Sequence, residues 1–158
     1  MPRLIKLTQN QYTIVDDEDF EQLNQFKWYA HKICKNYYAE RKITLNGKKI
    51  TIQMHRQLIP CCEGKQPDHK NRNSLDNRKS NLRIATHSQN SQNRSMHKNN
   101  TSGVKGVSWD KNGKKWRAEI RVDKRKIQLG QFDNLQEASN VRRNADLQYF
   151  GEFSEFSN

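Results

Sequence analysis

Residues 66–94 form a long polar stretch whose few apolar anchors are Leu75, Leu82 and Ile84, and that poverty constrains the fold more than any other feature of the chain. So few apolar side chains cannot close a core, so the stretch does not exist for packing alone. Its pattern reads as strand, loop, strand and helix. Asp68-His69 ends the first strand, residues 70–80 make a long loop, and Asn81-Leu82-Arg83-Ile84-Ala85 returns as the second strand. Thr86-His87-Ser88-Gln89 has the spacing of a capping box, with Thr86 as N-cap and Asn90 in the helix that follows.

These residue types suit phosphodiester hydrolysis. Mg²⁺ takes oxygen ligands in an octahedral shell and keeps several waters, so the Asp68 carboxylate, the Asn90 amide oxygen and phosphate oxygens make a sensible set. The expected hairpin lets Asn90 face back toward Asp68. His69 points the other way from Asp68 on the strand and is free to take a proton from water near pH 7. Arg83 or Arg78 is placed to hold a neighbouring phosphate.

The chain has 158 residues, of which 32% are hydrophobic, which favours small modules over one large core. Its 29 Lys and Arg against 17 Asp and Glu leave a net charge of +12, and nucleic acid is the expected partner. The three cysteines, Cys34 and the adjacent Cys61 and Cys62, contain no CxxC pair, so neither a disulfide framework nor structural zinc is expected. The first residues lack an apolar signal core and no apolar run nears a membrane span. A soluble cytoplasmic protein of a bacterial or phage-infected cell, with no membrane partner, is expected.

The N-terminal segment reads as β-rich. Leu4-Ile5-Lys6-Leu7 and Tyr12-Thr13-Ile14-Val15 suggest a hairpin broken at Gln9-Asn10-Gln11. Four carboxylates from Asp16 to Asp19 mark a helix start over residues 17–25, since consecutive residues cannot all face one ion. Strands follow around Trp28, at 37–43 and at 49–52, the last two joined by a turn at Asn46-Gly47, with Trp28, Tyr29, Tyr37 and Tyr38 read as core. Met54 to Ile59 reads as a short helix stopped by Pro60, its His55 as a packing or phosphate-contacting residue.

After a polar linker, strands at 104–109, 115–122 and 126–130 are expected, then a helix capped by Asn134 with Leu135, Ala138, Val141, Ala145 and Tyr149 at helical spacing. Residues 104–126 carry nine basic and three acidic side chains (+6), whereas 127–158 carry two and five (−3). The sheet, not the helix, should therefore meet DNA, and sheets do enter the major groove. Alternation puts Trp116, Ala118, Ile120 and Val122 on one face and Arg117, Glu119 and Arg121 on the other, which is the expected contact face.

Asp68-His69-Lys70-Asn71, Leu75-Asp76-Asn77-Arg78, Ser80-Asn81-Leu82-Arg83 and Gln89-Asn90 resemble the HNH motif of phage and intron-encoded homing endonucleases over about 54–94, with Met54-His55-Arg56 matching the usual lead-in helix. The resemblance implies a ββα-metal fold with His69 as general base, Asp68 and Asn90 as metal ligands, and Asn81 or Asn77 pinning the loop and orienting the histidine. The third motif letter is Asn90, where many such nucleases have His, which favours Mg²⁺ or Mn²⁺ over a softer metal. Residues 100–153 resemble the ethylene-response-factor (apetala-two) DNA-binding domain in Val104-Lys105-Gly106-Val107, Trp116-Arg117-Ala118-Glu119-Ile120-Arg121, Leu129-Gly130-Gln131-Phe132 and Glu137-Ala138. That likeness implies DNA contacts from Lys105, Arg117, Glu119, Arg121 and Gln128, with Ser108, Trp109 and Lys126 completing the expected surface. Ser108 stands where the plant proteins often have Arg, and Gln128 where they often have Trp, so their base preference is not transferred.

The expected architecture is α+β: a β-rich segment at 1–53, an HNH ββα-metal module at 54–97, a linker at 98–103, and a three-stranded antiparallel sheet packed on one helix at 104–158. The expected activity is site-directed, metal-dependent endonucleolysis of double-stranded DNA by a monomer that nicks one strand, with His69, Asn81 and Arg83 as its catalytic group. The alternatives are a DNA-binding regulator that keeps the HNH framework without chemistry, and an RNA-binding module using exposed aromatics.

Overall fold

Two β-prone runs flank Gln9-Asn10, and both of those residues adopt the left-handed backbone conformation, at φ 57° and 53°, that reverses the chain. The hairpin pairs β1 (Arg3–Lys6) with β2 (Tyr12–Val15). Alternation then sends Ile5, Thr13 and Val15 inward. Helix α1 (Asp17–Asn24) begins on its acidic turn, as expected from the helix dipole. Strands β3 (Tyr29–Ile33), β4 (Asn36–Leu45) and β5 (Lys48–Gln53) form an antiparallel sheet in that order, and Asn46-Gly47 turns β4 into β5 at φ 49° and 72°. Helix α2 (Met54–Leu58) packs against β4 and β5, and also against β6 (Lys65–His69), which pairs with β7 (Leu82–Thr86).

The computed structural model of the chain describes residues 1–92 and 99–154, and its class is a mixed α+β fold with several small sheets. Residues 93–97 of the expected HNH segment, the first linker position 98, and residues 155–158 lie outside the described residues. Two compact units divide the chain, Met1–His87 and Ser88–Asn158. The β-rich N-terminal segment and the β6–β7 hairpin thus fall in one unit. Its core is Ile5, Leu7, Val15, Leu23, Trp28, Ala30, Ala39 and Met54, with Leu75 of the β6–β7 loop packed on it. Among the described residues no helix is long and apolar enough to cross a membrane.

Ile84 is not the anchor its chemistry suggested: it is 46% exposed, while Ala85 is fully buried. Strand alternation separates the two. Arg83 and Ala85 share one face of β7, where Asp68 receives the guanidinium across the ladder, and Ile84 points from the opposite face into solvent.

Helix α3 (His87–Gln92) follows directly on Thr86 at the end of β7, and the division between the units falls after its first residue. Strands β8 (Val107–Asp110), β9 (Lys115–Val122) and β10 (Arg125–Phe132) form an antiparallel sheet in the order β10-β9-β8. Helix α4 (Leu135–Phe150) packs on it over a small core of Val107, Ala118 and Ala138, its N-terminus capped by Asn134 Oδ1 accepting from the Gln136 amide at 2.7 Å. The polar residues before β8 are tied to that strand: Asn100 Nδ2 donates to the Val104 carbonyl and Ser102 Oγ to the Val107 carbonyl.

The apolar stripe read along α4 holds at Ala138 and Ala145 but not at Tyr149, which is 44% exposed. Arg142 and Asp146 are buried instead, joined at 2.6 Å, and Ser154 Oγ donates to the second oxygen of the same carboxylate. An i,i+4 pair of opposite charge looks like a solvated face in sequence; here it lies inside, where the ion pair and the Ser154 hydrogen bond offset part of the desolvation, while Arg142 Nε finds no hydrogen-bond partner among the described residues.

Candidate functional site

The β6–β7 loop explains its own abundance of asparagine. Asn71 Oδ1 accepts from the Asn73 amide at 2.9 Å and Asn73 Oδ1 from the Leu75 amide at 3.1 Å, two local turns closed by side chains. Asn81, at the far end, accepts from the Asn71 amide at 3.0 Å and donates to the Asp76 carbonyl at 2.7 Å. It is 7% exposed and bonded to both halves of the loop, so it sets the separation of the two strand ends. Asp76, 2% exposed, receives Arg78 through two bonds of 2.7 Å and Asn71 Nδ2 at 2.9 Å, and the guanidinium holds its carboxyl below the usual range.

His69 closes β6 with its Nε2 3.1 Å from Asn77 Oδ1. The two functions that the sequence left open between Asn81 and Asn77 are thus divided in geometry: Asn81 bonds the loop and Asn77 bonds the histidine. Burial holds the His69 imidazole below its ordinary pKa, against the opposing pull of the Asn77 hydrogen bond and the Asp68 and Asp76 charges. The ring is therefore neutral at pH 7, the form in which an imidazole accepts a proton.

Asp68 precedes it, 6% exposed, and its Oδ2 accepts from Arg83 Nε at 3.0 Å. Arg83 is itself 7% exposed, so this is a buried charge pair across the hairpin register. Arg78 is engaged with Asp76. Both arginines expected to hold phosphate thus have carboxylate partners within the unit.

Spacing alone gives His55 on α2 a packing or phosphate-contacting role, and the structure brings it to His69. Its ring lies edge to face with His69, centroids 5.1 Å apart, and Tyr38 borders it at 5.9 Å. Burial, then the charges of His69 and Arg56, push its pKa down to about 3. Nothing in the local sequence pairs residues 55 and 69; their approach comes from α2 packing on β6.

Among the described residues no three His, Cys, Asp or Glu side chains gather as a metal site. An ion at Asp68 would draw the rest of its shell from amide, water and phosphate oxygens. This hard, carboxylate-poor set fits Mg²⁺ or Mn²⁺, which keep several non-protein ligands. Asn90 lies half-buried on α3, in the second unit.

In the second unit, register brings one set of polar side chains to a single face: Ser108 opposes Arg117, Gln128 opposes Glu119, and Lys126 opposes Arg121. Ion pairs cross this face, Arg117 to Asp110 at 2.5 Å and Lys126 to Glu119 at 2.6 Å. Lys105, Glu119, Arg121, Lys126 and Arg142 line a shallow pocket at its side. Trp109 opposes Trp116, so register puts it on the other face, where it stacks edge-on at 5.1 Å and remains 44% exposed. Gly106 is required at its turn: φ is +74°, and a Cβ would collide with Arg142 Nε and the Glu119 carbonyl.

The protein family described as HNH endonuclease matches residues 54–92, which span α2, the β6–β7 hairpin and α3. Protein 3.8 of Escherichia phage T7 is 32% identical over 97 residues, covering 61% of this chain and 79% of the phage protein. No solved structure matches. With its HNH segment coinciding with the Asp68-His69 hairpin, the chain belongs to the family of phage T7 Protein 3.8 and carries an HNH nuclease domain.

Proposed function

We propose that this protein is a divalent-metal-dependent DNA endonuclease of the homing type that nicks duplex DNA with His69 as its general base. The observation that carries this reading is a buried, neutral His69 held at Nε2 by Asn77, directly after the buried carboxylate Asp68, inside the segment that matches HNH endonucleases. His69 takes the proton of the attacking water. Asn81 keeps the strand ends at the separation that this pose needs, and Arg83 acts by orienting the Asp68 carboxylate rather than by gripping phosphate. Asp68 would hold Mg²⁺ or Mn²⁺, whose charge would oppose the charge developing on the phosphate and its leaving oxygen.

The second unit delivers the duplex. Its sheet face of Ser108, Arg117, Glu119, Arg121, Lys126 and Gln128, with Lys105 beside it, is read as the DNA-contacting surface, in the manner of the ethylene-response-factor domain that its sequence resembles. Trp109 lies on the opposite face but is 44% exposed on the edge strand β8, and is proposed to extend the contact around that edge. The protein acts as a monomer with one centre, so one strand is cut.

One observation favours a second reading, a DNA-binding regulator without chemistry: Asp68 Oδ2 is already bonded to Arg83, and a metal must share that carboxylate. Supercoiled plasmid carrying candidate target DNA, incubated with Mg²⁺ and wild type or His69→Ala, separates the two. Open circles from wild type alone support the nuclease. If neither protein cuts and both bind the duplex with steep salt dependence, the regulator replaces it.

A further inference from the structure

Strand β2 lies outside the segment that matches the HNH family, yet it is bonded into the β6–β7 loop. The Ile14 amide donates to the Leu75 carbonyl at 2.8 Å, and the Ile14 carbonyl accepts from the Asn77 amide at 2.8 Å, a parallel bridge that sets register between the N-terminal hairpin and the loop. That register places Thr13, with no exposed surface, beside Asn77, which is 1% exposed. Thr13 Oγ1 lies 2.8 Å from the Leu75 carbonyl and 2.7 Å from Asn77 Nδ2, and Asn77 Oδ1 lies 3.1 Å from His69 Nε2.

We propose that Thr13 is a positioning residue that fixes which nitrogen of His69 carries the proton, acting through Asn77. A hydroxyl has one proton and a carbonyl oxygen has none. At 2.8 Å from the Leu75 carbonyl the Thr13 proton must lie between the two oxygens, because two bare oxygens at that separation repel. Among the described residues Met54 Sδ, 3.9 Å away, offers this hydroxyl a second and weaker acceptor. With its proton so committed, Thr13 Oγ1 can only accept from Asn77, which identifies the near atom of that amide as Nδ2. Asn77 therefore turns Oδ1 toward His69. An amide oxygen cannot donate, so His69 Nε2 must be the protonated nitrogen, and the basic lone pair belongs to Nδ1. All three bonds run one way, from His69 to Asn77 to Thr13 to the Leu75 carbonyl, and no water reaches the two middle groups to reverse them. The inference rests on the reading of His69 as base, because only then does the choice of nitrogen have a chemical consequence.

The test is made on the full chain with ¹⁵N-labelled histidine, using two-bond ¹H–¹⁵N correlation at pH 7.5, with His69 assigned by the loss of its signals in His69→Ala. Wild-type His69 should show the Nε2–H tautomer. Thr13→Val, nearly isosteric and unable to accept from Asn77, should release the amide to turn over and shift His69 toward Nδ1–H, while Thr13→Ser should keep the wild-type pattern. Plasmid nicking is read on the same samples. Thr13→Val should lose turnover by on the order of 10²-fold with KM for duplex unchanged, and Thr13→Ser should recover it. An Nδ1–H signal in wild type overturns the proposal without any variant having to fold. So does a Thr13→Val protein that keeps both the Nε2–H pattern and its turnover. If wild type cuts no DNA but the tautomer follows residue 13 as described, the hydrogen-bond relay stands and the nuclease reading is what fails.

Discussion

Acidification should destabilise the first unit through His55. The ring is 6% exposed, walled by Tyr38 and His69, and has its pKa pushed from 6.5 to about 3 by burial and by the charges of His69 and Arg56. Because the folded value is below the unfolded one, the unfolded chain binds more protons below pH 6.5. Stability is therefore complete above pH 6.5 and declines as pH falls toward 3. At pH 5 the unfolded imidazole is 1.5 pH units into its titration while the folded one remains neutral, which amounts to about 2 kcal/mol at roughly 1.36 kcal/mol per unit. The comparison is between wild type and His55→Phe, which keeps a ring but removes the titration, so that contributions from groups not coupled to His55 cancel in the difference. Urea unfolding at pH 7 and pH 5, followed by Trp28 fluorescence with Trp109 and Trp116 replaced by Phe, measures it, since Trp28 is 2% exposed in this unit. Wild type should lose about 2 kcal/mol more than His55→Phe on going to pH 5. Equal losses would refute the argument, and would mean that the imidazole reaches solvent or gains a partner on protonation.

Arg83→Met should cost about 3–5 kcal/mol in the urea unfolding of the first unit by leaving Asp68 buried without its guanidinium, and adding Asp68→Leu should restore most of it; no recovery would show that the pair is not the source. Gly106→Ala should lower the stability of the second unit by about 2 kcal/mol or more, read in a thermal melt by Trp116 fluorescence, because its φ of +74° and the contacts with Arg142 and the Glu119 carbonyl both oppose a Cβ. Duplex binding should weaken linearly in log–log salt titrations, and Arg121→Ala should reduce the slope by about one if that side chain reaches a phosphate; an unchanged slope would remove it from the interface.

Local signals carried much of the architecture. The turn at Asn46-Gly47, the alternation of Trp116, Ala118 and Ile120, and the Asn134 cap are each decided by a few neighbouring residues, so they could be read without tertiary knowledge. Asp68-His69 at a strand end was legible for the same reason. Errors arose where burial depended on a partner from another element. Ile84 is exposed while Arg83, on the opposite face of β7, is held by Asp68 of β6, and Tyr149 is exposed while Asp146 is buried against Ser154 from beyond the helix.

The sequence by itself determined the chemical inventory: a basic chain, a carboxylate followed by an imidazole, and a loop of asparagines able to close their own turns. Only the tertiary structure decided how that inventory is wired. The bond between Asn77 and Thr13 spans 64 residues and joins two polar side chains. Neither has a periodicity or turn preference that points at the other, because a hydrogen bond between buried side chains depends on where two separate backbones come to lie. The same holds for His55 against His69, whose contact exists because α2 packs on β6. Periodic burial is written along a chain, whereas the partners of its polar groups are chosen when the elements meet.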